Sequence, residues 1–328
     1  MAVYRAAVIG CGRIGSTIDD EEVNRPHFFY PWAHAPGYVE AKGVELVAGA
    51  DLLPDQLKDF KRRWGVTALY TDYRQMLTNE KPDIVSVTTR PAERAEIVIG
   101  IAEAGGVKAI YATKPIAPSL AEADAMIEAC RKHGVLLVIA CHQNWSPWFL
   151  ACLKAIRAGE IGKFSSMLCS YTHGGHTLSL FRLFAGAPAK WVVGHINSDK
   201  GIRRSGMILY ENGLQGFITT GGWHQFDFIG SDGWLSSRNE HADFEMWSRH
   251  PVTGEAIRRQ FPNPKRSISS QQAAIEALVK NLDEGTETLC PGEYGREALE
   301  IGIAMRESHL RGGEKLELPL ADRSLSSG

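Results

Sequence analysis

Short apolar runs alternate with segments of helical spacing along the first 140 residues. Runs such as "YRAAVIG", "VELVAGAD", "DIVSVTT", "VKAIYAT" and "VLLVIAC" have the composition of buried strands. Between them, "PDQLKDFKRRWG" and "PAERAEIVIGIAEAG" read as helices, and Ser119 with Glu122 forms a capping-box pattern before another. Strands that alternate with helices predict an α/β fold, a doubly wound parallel sheet of the Rossmann type with helices on both faces.

The second half has a different rhythm, because strand-like segments follow one another with few helices between them. Turn sequences such as "ENG" and "SDG" connect several of these segments. We expect an α+β domain with an open, mostly antiparallel sheet, closed by two helices over about 269–284 and 294–311. The change of pattern predicts domains over residues 1–142 and 143–328.

Composition narrows the class of protein. The chain has 328 residues, 44% of them hydrophobic, and a formal net charge of −2. This balance argues against a nucleic-acid-binding surface, and no apolar run is long enough to span a membrane. The six cysteines are scattered and the N-terminus has no signal-peptide pattern, so we expect a cytoplasmic protein. The dispersed histidines show no metal-ligand spacing, so no metal is expected.

A glycine motif follows the first predicted strand directly. Gly10, Gly12 and Gly15 form G-x-G-x-x-G, with Arg13 and Ile14 between the last two glycines. The first glycine allows a tight turn, the second allows the backbone to approach a pyrophosphate, and the third allows close helix packing. The motif lies in the strand–turn–helix context that dinucleotide binding requires, and all five residues are predicted to bind the cofactor.

Three side chains at strand ends complete the predicted cofactor site. Asp51 ends the second strand, where a carboxylate accepts hydrogen bonds from ribose hydroxyls and repels a 2′-phosphate. Leu52 and Leu53 follow it, with no arginine for that phosphate, so NAD is favoured over NADP. Asp51 is also placed to serve as a helix N-cap before Pro54. Thr88 and Thr89 end another strand and are expected to line the cofactor cleft.

The order of these motifs resembles the Gfo/Idh/MocA family of sugar and polyol oxidoreductases. The resemblance covers essentially the whole chain. It is carried by "AVIGCGRIG", "KPDIVSVTT", "ATKPIAPSLAEADAMIEAC", "GEIGKF", "HGGHTLSLFRLFAG" and "GREALEIGIAMRESHLRGGEKLELPL". It implies an NAD-dependent enzyme that transfers a hydride between nicotinamide and a hydroxyl of a carbohydrate: a sugar, a polyol or a sugar acid.

The resemblance also implies roles for particular residues. Lys114 matches the lysine of a Glu-Lys-Pro motif that lies beside the nicotinamide and the reacting hydroxyl, where an ammonium stabilises a developing alkoxide. His176 matches the histidine of Asp-x-Gly-x-His and is the candidate acid/base, since imidazole titrates near neutral pH. Gln143 and Asn144 stand where the family approaches the nicotinamide half of the cofactor, although ordinary loop capping also accounts for them.

Several positions depart from the family pattern. Thr113 replaces the glutamate before the lysine, Thr172 replaces the first aspartate near His176, and Ser179 replaces the second. The change at 172 removes a carboxylate from the expected proton relay. A substrate that carries its own carboxylate is one explanation. Residues then suited to contact it are Arg94, Arg182 and His173, with Thr172 itself also at the predicted substrate site.

Two further features leave alternatives open. The aromatic-rich insertion over about residues 17–42 is either a lid over the substrate or a surface loop that packs on its own aromatic rings. The missing acid at 172 also suits a redox-neutral enzyme that oxidises a sugar transiently and then returns the hydride. A protein that only senses nucleotide or sugar is a third possibility. Apolar residues of the second sheet, together with the resemblance, predict a homodimer or homotetramer.

Overall fold

The computed structural model describes most of the chain. The described residues are 3–22, 30–170, 174–197, 203–221, 224–238, 241, 243–261 and 268–326. The predicted residues Thr172 and His173 therefore lie outside them.

Within the described part of the first half, six strands form one parallel sheet in the order β3-β2-β1-β4-β5-β6. This is the strand order of a dinucleotide-binding Rossmann fold, with the crossover point between β1 and β4. The interior of the sheet is apolar: β4 and β5 are buried along their whole length. The strands are β1 (Tyr4–Ile9), β2 (Val44–Ala50), β3 (Ala68–Tyr70), β4 (Ile84–Val87), β5 (Ala109–Ala112) and β6 (Leu136–Ile139).

Helices connect these strands. They are α1 (His34–Glu40), α2 (Pro54–Trp64), α3 (Tyr73–Glu80), α4 (Pro91–Ala104) and α5 (Leu120–Lys132). Among them, α2, α4 and α5 begin and end where local sequence predicts. Proline stands in the first turn of α2 and α4, and Gly65 ends α2 with φ +71°. Ser119 caps α5, since its hydroxyl accepts a hydrogen bond from the Glu122 amide. The predicted α/β class is confirmed.

The insertion contributes helix α1 to the interior of the first unit. Asp19 accepts hydrogen bonds from the amides of Trp32 and Ala33 just before the helix, at 2.7 and 3.3 Å. His34 and Tyr38 of α1 are buried, and both hydrogen-bond the Ser86 hydroxyl of β4, at 2.8 and 2.9 Å. In its described part the insertion therefore does not pack only on itself, and its predicted role as a lid stays a prediction.

The second half contains a mixed sheet, mostly antiparallel, as predicted. Among the described residues nine strands follow the order β14-β13-β12-β11-β7-β10-β9-β8-β15, and only β10 and β7 pair in parallel. The strands are β7 (Phe164–Cys169), β8 (Ala189–Asn197), β9 (Arg203–Tyr210), β10 (Gln215–Ile218), β11 (Phe226–Gly230), β12 (Gly233–Arg238), β13 (Asp243–Arg249), β14 (Ala256–Arg259) and β15 (Leu316–Glu317).

Four helices accompany this sheet in sequence, and two of them were not predicted. The expected pair is α8 (Ser270–Glu284) and α9 (Gly292–Leu310), close to their predicted bounds. The additional helices are α6 (Pro147–Arg157) and α7 (Gly175–Ala185). Residues 177–181 of α7 are all buried, so the helix lacks the one-sided apolar stripe that reveals a helix in sequence.

The chain divides into two compact units whose boundary differs from the predicted one. The first unit comprises Met1–Trp145 and Ser267–Arg296, and the second comprises Ser146–Arg266 and Glu297–Ser327. Helix α8 thus belongs to the first unit, where it packs against α1 and against a 3₁₀-helix over His142–Trp145. Among the described residues, no helix is both long and apolar enough to cross a membrane.

Candidate active site

The carboxyl ends of β1, β4 and β5 place the predicted cofactor residues of the first unit at one edge of its sheet. The Thr88 amide donates to the Ile9 carbonyl at 2.9 Å, and the Thr113 amide donates to the Val87 carbonyl at 3.0 Å. The turns that follow these strands are therefore adjacent. Ligands of open α/β sheets bind at this edge, beside the crossover point.

Each glycine of the motif has its own steric reason. Gly10 has φ +92°, which favours glycine, and a Cβ on Gly15 would lie 2.0 Å from the Gly10 carbonyl oxygen. Gly12 differs, because the nearest protein atom to a Cβ there would be a Gln56 side-chain oxygen at 3.8 Å. The space beside Gly12 is open to a ligand, as close approach of a pyrophosphate requires.

The segment after the glycine turn is not the long helix that the motif predicts. Arg13–Thr17 forms one π-helical turn and Ile18–Glu22 a 3₁₀-helix. The Arg13 guanidinium pairs with the Glu21 carboxylate through two hydrogen bonds of 2.6 and 2.7 Å. Arg13 is exposed and Ile14 is half-buried. The insertion begins here, so the chain turns away towards α1 after one turn of helix.

Asp51 joins the glycine turn to the start of α2. Its Oδ2 accepts a hydrogen bond from the Cys11 amide at 2.8 Å, and its Oδ1 accepts one from the Leu53 amide at 2.9 Å. The N-cap position of α2 is Leu53, so Asp51 does not act as the helix cap. Each carboxylate oxygen can accept a further hydrogen bond, so a ribose hydroxyl can still bind.

The two threonines after β4 have different environments. The Thr88 hydroxyl donates to the carbonyls of Ile9 and Gly10 and so stabilises the start of the glycine turn. The Thr89 hydroxyl oxygen is buried, and no described residue hydrogen-bonds it. A buried hydroxyl without a protein partner is suited to a ligand that supplies one.

Lys114 follows β5 at the same edge. Thr113 before it is buried, whereas the Lys114 side chain remains accessible to solvent, and the Lys114–Pro115 peptide is cis. The protein around Lys114 is nevertheless dense enough to lower the pKa of its ammonium by desolvation; the Arg13 and Arg94 cations act in the same direction and Cys141 opposes them. A lysine with a lowered pKa at a strand end is a candidate proton carrier.

Arg94 lies in α4 and is 2% exposed. Its guanidinium donates to the carbonyls of Thr89 and Pro115. Burial lowers the pKa of Arg94 to about 10. This geometry does not suit the predicted role as a counter-charge for a substrate carboxylate, because the guanidinium faces the backbone of two turns inside the first unit.

Gln143 and Asn144 lie in the 3₁₀-helix after β6. The Asn144 side chain is buried and donates to the Leu289 carbonyl at 3.1 Å, which indicates a structural role in holding the returning segment. The Gln143 Oε1 atom is buried, and the structure gives it no hydrogen bond from any described residue. Gln143 therefore offers an unused acceptor, as Thr89 offers an unused hydroxyl.

The second unit holds the remaining candidates. His176 is half-buried in the first turn of α7, and its carbonyl accepts a hydrogen bond from the Ser179 hydroxyl at 3.1 Å. Arg182, a suggested counter-group for a sugar acid, forms an ion pair of 2.8 Å with Glu297, and both side chains are largely buried. Among the described residues, no group of three or more His, Cys, Asp or Glu side chains is placed to hold a metal ion.

These features fit an extended dinucleotide along the edge of the sheet. The open space at Gly12, the buried Thr89 hydroxyl and the Gln143 acceptor are the observations that support the fit. Residues 4–141 match the family model of the Gfo/Idh/MocA proteins, described as an oxidoreductase family with an NAD-binding Rossmann fold. The match to the Gfo/Idh/MocA oxidoreductase family thus lies within the first half of the chain. The match agrees with the predicted resemblance and with an NAD-binding Rossmann fold over these residues.

Comparisons with individual proteins extend the similarity. The chain is 32% identical to D-apiose dehydrogenase from Paraburkholderia graminis over 48% of its own length, but this spans only 38% of that enzyme. It is 24% identical to myo-inositol 2-dehydrogenase from Thermotoga maritima, over 93% of this chain and 96% of that enzyme. An Agrobacterium radiobacter oxidoreductase, crystallised with NAD⁺, L-tartaric acid and magnesium, has the same fold, with a TM-score of 0.79 and 18% identity. The match covers 96% of this chain and 98% of that chain.

Some features of the site could not be foreseen from sequence. The strand pattern identified Thr88 and Thr89 as a pair, but only the structure separates the hydroxyl that supports the glycine turn from the one that forms no hydrogen bond with a described residue. His34 in the insertion was not predicted to contact the sheet, yet its ring lies 4.7 Å from the Tyr111 ring of β5. No local signal marks either relationship, because both join segments far apart in sequence.

Proposed function

We propose that this protein is an NAD-dependent dehydrogenase that oxidises a secondary hydroxyl of a sugar or polyol, with Lys114 as the residue that handles the proton. The observation that carries the proposal is the position of Lys114, which follows β5 at the sheet edge that also holds the glycine turn, with a lowered pKa. The named dehydrogenases among the relatives act on apiose and inositol, which supports a polyhydroxylated substrate.

The reaction divides between the cofactor and this chain. NAD, when bound, accepts the hydride that leaves the substrate carbon. Gly10, Gly12 and Gly15 would admit its pyrophosphate, Asp51 would accept hydrogen bonds from a ribose, and Thr89 and Gln143 are suited to its remaining polar groups. As the C–H and O–H bonds break and the carbonyl forms, the Lys114 amine takes the hydroxyl proton, and the resulting ammonium stabilises the negative charge that develops on the oxygen.

His176 is the second proton-handling candidate and rests on the family pattern rather than on a contact. Its place in the first turn of α7 is compatible with an imidazole presented at the start of a helix. Thr172 and His173 keep their predicted substrate roles as proposals. A neutral sugar or polyol is favoured over a sugar acid, since Arg94 and Arg182, two suggested counter-charges, are both engaged inside the protein.

The first experiment follows NADH absorbance with purified protein, NAD and a panel of polyols, aldoses and aldonates. We expect NADH with at least one polyol or aldose, and a loss of about 100-fold or more in the Lys114→Met variant. The matched control is Lys108→Met, because Lys108 precedes the same strand at its other end and pairs with Asp83 at 2.9 Å. No difference between the two variants would contradict the role of Lys114.

The same mixtures test the redox-neutral alternative, which the threonine at 172 favours. Such an enzyme would consume substrate without net NADH, and chromatography of the reaction mixture would reveal the product. A protein that only senses its ligand would bind NAD with the same affinity in wild type and Lys114→Met and would change no substrate. The cytoplasmic location stays a prediction, consistent with six buried cysteine thiols.

We further propose that the outer face of the nine-stranded sheet pairs two copies of the chain. Half-exposed Val193, Met207, Phe217 and Leu168 stand opposite one another on four adjacent strands. Trp234 is 36% exposed and stacks on Trp247 at 5.7 Å. An exposed apolar face of this kind on a sheet is typical of a protein interface. Light scattering should show a dimer or tetramer that Phe217→Lys dissociates and Val252→Lys, at an exposed turn, does not.

A further inference from the structure

Arg94 joins two turns of the first unit that both lie at the cofactor edge. One guanidinium nitrogen donates to the Thr89 carbonyl, in the turn after β4, and the other donates to the Pro115 carbonyl, in the turn after β5. Pro115 is the residue directly after Lys114. The planar guanidinium fixes both directions at once, which a single-headed side chain cannot do.

The charge of Arg94 has no acidic partner to explain it. Within the described residues, no carboxylate forms an ion pair with Arg94, and its Nε atom is buried without a hydrogen-bond partner. A buried cation of this kind is unfavourable for folding, because the Glu93 carboxylate raises the Arg94 pKa by less than burial lowers it and so offsets the desolvation only in part. Stability alone therefore gives no reason for a charged residue here, and charged groups kept at such a price are typical of functional sites.

The groups that act electrostatically on Lys114 give the reason. Desolvation has the largest effect on the pKa of Lys114 and lowers it. Among the charged groups Cys141 raises this pKa, whereas Arg13 and then Arg94 lower it further. Arg13 is exposed and paired with Glu21, so its field is partly cancelled and screened by water. Arg94 is buried and forms no ion pair with a described carboxylate, so water screens its field little, although its effect on the Lys114 pKa is smaller than that of Arg13.

We propose that Arg94 is a positioning residue for Lys114: it fixes the Lys114–Pro115 turn through the Pro115 carbonyl and holds a permanent cation beside the ammonium. Arg94 remains protonated at neutral pH, because even its lowered pKa is about 10. The neighbouring Lys114 then releases its proton more readily and is a better acceptor for the proton of a substrate hydroxyl. The catalytic consequence rests on the proposed function, whereas the effect on Lys114 itself does not.

The test measures the titration of Lys114 in protein without substrate or cofactor. Lysines are reductively methylated with ¹³C-formaldehyde, and the Lys114 resonance is assigned by its absence in Lys114→Arg. Arg94→Gln removes the charge and keeps one amide donor, whereas Arg94→Lys keeps the charge. We expect Arg94→Gln to raise the Lys114 pKa and Arg94→Lys, which keeps the charge, to leave it close to the wild-type pKa. An unchanged Lys114 pKa in folded Arg94→Gln would overturn the proposal.

Controls separate this effect from general damage and from the proposed function. Arg74→Met removes an exposed arginine of α3 that pairs with Glu96 of α4, the helix that also holds Arg94. This variant should leave the Lys114 pKa unchanged. Circular dichroism establishes that each variant is folded, and Arg94→Lys serves if Arg94→Gln does not fold: because Arg94→Lys keeps the charge, a raised Lys114 pKa in that variant would overturn the charge argument. If Arg94→Gln raises the pKa but wild type oxidises no substrate, the positioning role stands and the dehydrogenase proposal fails. If Lys114→Met abolishes turnover but Arg94→Gln leaves the Lys114 pKa unchanged, the dehydrogenase proposal stands and the positioning role fails.

Discussion

The Asp51 carboxylate accepts a hydrogen bond of 2.8 Å from the backbone amide of Cys11, the residue between the first two glycines of the motif. One side chain thus shapes the glycine turn and, in the proposed function, also accepts hydrogen bonds from a cofactor ribose. Replacing it should therefore affect both the protein and its ligand.

Asp51→Ala tests this double role. We expect the NAD dissociation constant to rise about 10-fold or more, since a charge-assisted hydrogen bond contributes roughly 1.5–3 kcal/mol. The preference for NAD over NADP should narrow, because the carboxylate no longer repels a 2′-phosphate. Fluorescence titration with both cofactors measures this, with Asp55→Ala in the exposed first turn of α2 as control. An unchanged ratio of the two dissociation constants would refute the assignment.

The glycines predict two different failures. Gly15→Ala places a Cβ 2.0 Å from the Gly10 carbonyl oxygen, so the turn must distort, and thermal unfolding should show a clear loss of stability. Gly12→Ala meets no protein atom closer than 3.8 Å, so the protein should fold normally and lose NAD affinity instead. Equal melting temperatures for the two variants would contradict this reading of the motif.

Thr88 and Thr89 form a second matched pair. Thr88→Val removes the hydroxyl that donates to Ile9 and Gly10, and we expect a loss of about 1 kcal/mol in the free energy of unfolding. Thr89→Val removes a buried hydroxyl without a partner among the described residues, so stability should be unchanged or slightly higher. If the Thr89 hydroxyl binds NAD, only affinity falls. Chemical denaturation and cofactor titration of both variants give the answer, and a destabilised Thr89→Val would count against it.

His34 should make the first unit sensitive to acid. Burial, followed by the charges of His142 and Arg94, lowers the pKa of His34 from 6.5 to about 3. Between these values the unfolded chain binds a proton that the folded protein excludes, so stability falls as the pH falls from 6.5 towards 3. The loss from this residue should be about 2 kcal/mol between pH 6.5 and 5. Ser86, which hydrogen-bonds His34, and Tyr111, whose ring lies 4.7 Å from the His34 ring, carry no charge in this range.

His34→Gln keeps a hydrogen-bonding side chain without a titrating group. The fall in the free energy of unfolding between pH 6.5 and 5, measured by urea unfolding at both pH values, should therefore be about 2 kcal/mol smaller than in wild type. His133→Gln, at the exposed end of α5, should leave the pH dependence as in wild type. Parallel curves for wild type and His34→Gln would show that His34 is protonated at little cost in the folded protein.

Sequence predicted the elements whose stability is local. The spacing of apolar residues, Pro54 and Gly65 around α2, and Ser119 before α5 all lie within a few residues of the element that they define. Helix α1 escaped prediction because "HAPGYVE" contains proline and glycine and has no helical propensity of its own. It is held by Asp19, by Ser86 and by packing against α8. These partners are distant in sequence, so no local pattern reveals them.

The site shows the same division. The glycine turn, Asp51 and Lys114 could be placed from sequence because each directly follows a strand of a sheet whose topology is regular. Arg94 could not, because a helical arginine has no signal that it turns inward. The structure shows it between two carbonyls, and this changes its assignment from a substrate contact to a support for Lys114.

The return of α8 to the first unit has a consequence for folding of the chain during its synthesis on the ribosome. The Tyr4 hydroxyl donates to Asp283 at 2.8 Å, so the first strand finds this partner only after almost the whole chain has been made. At about 5–20 residues per second, synthesis from Trp145 to Ser267 takes roughly 6–24 s. Throughout that interval the surfaces that α8 will cover on α1 and the 3₁₀-helix are exposed. The nascent cofactor-binding unit is then a natural client for chaperones.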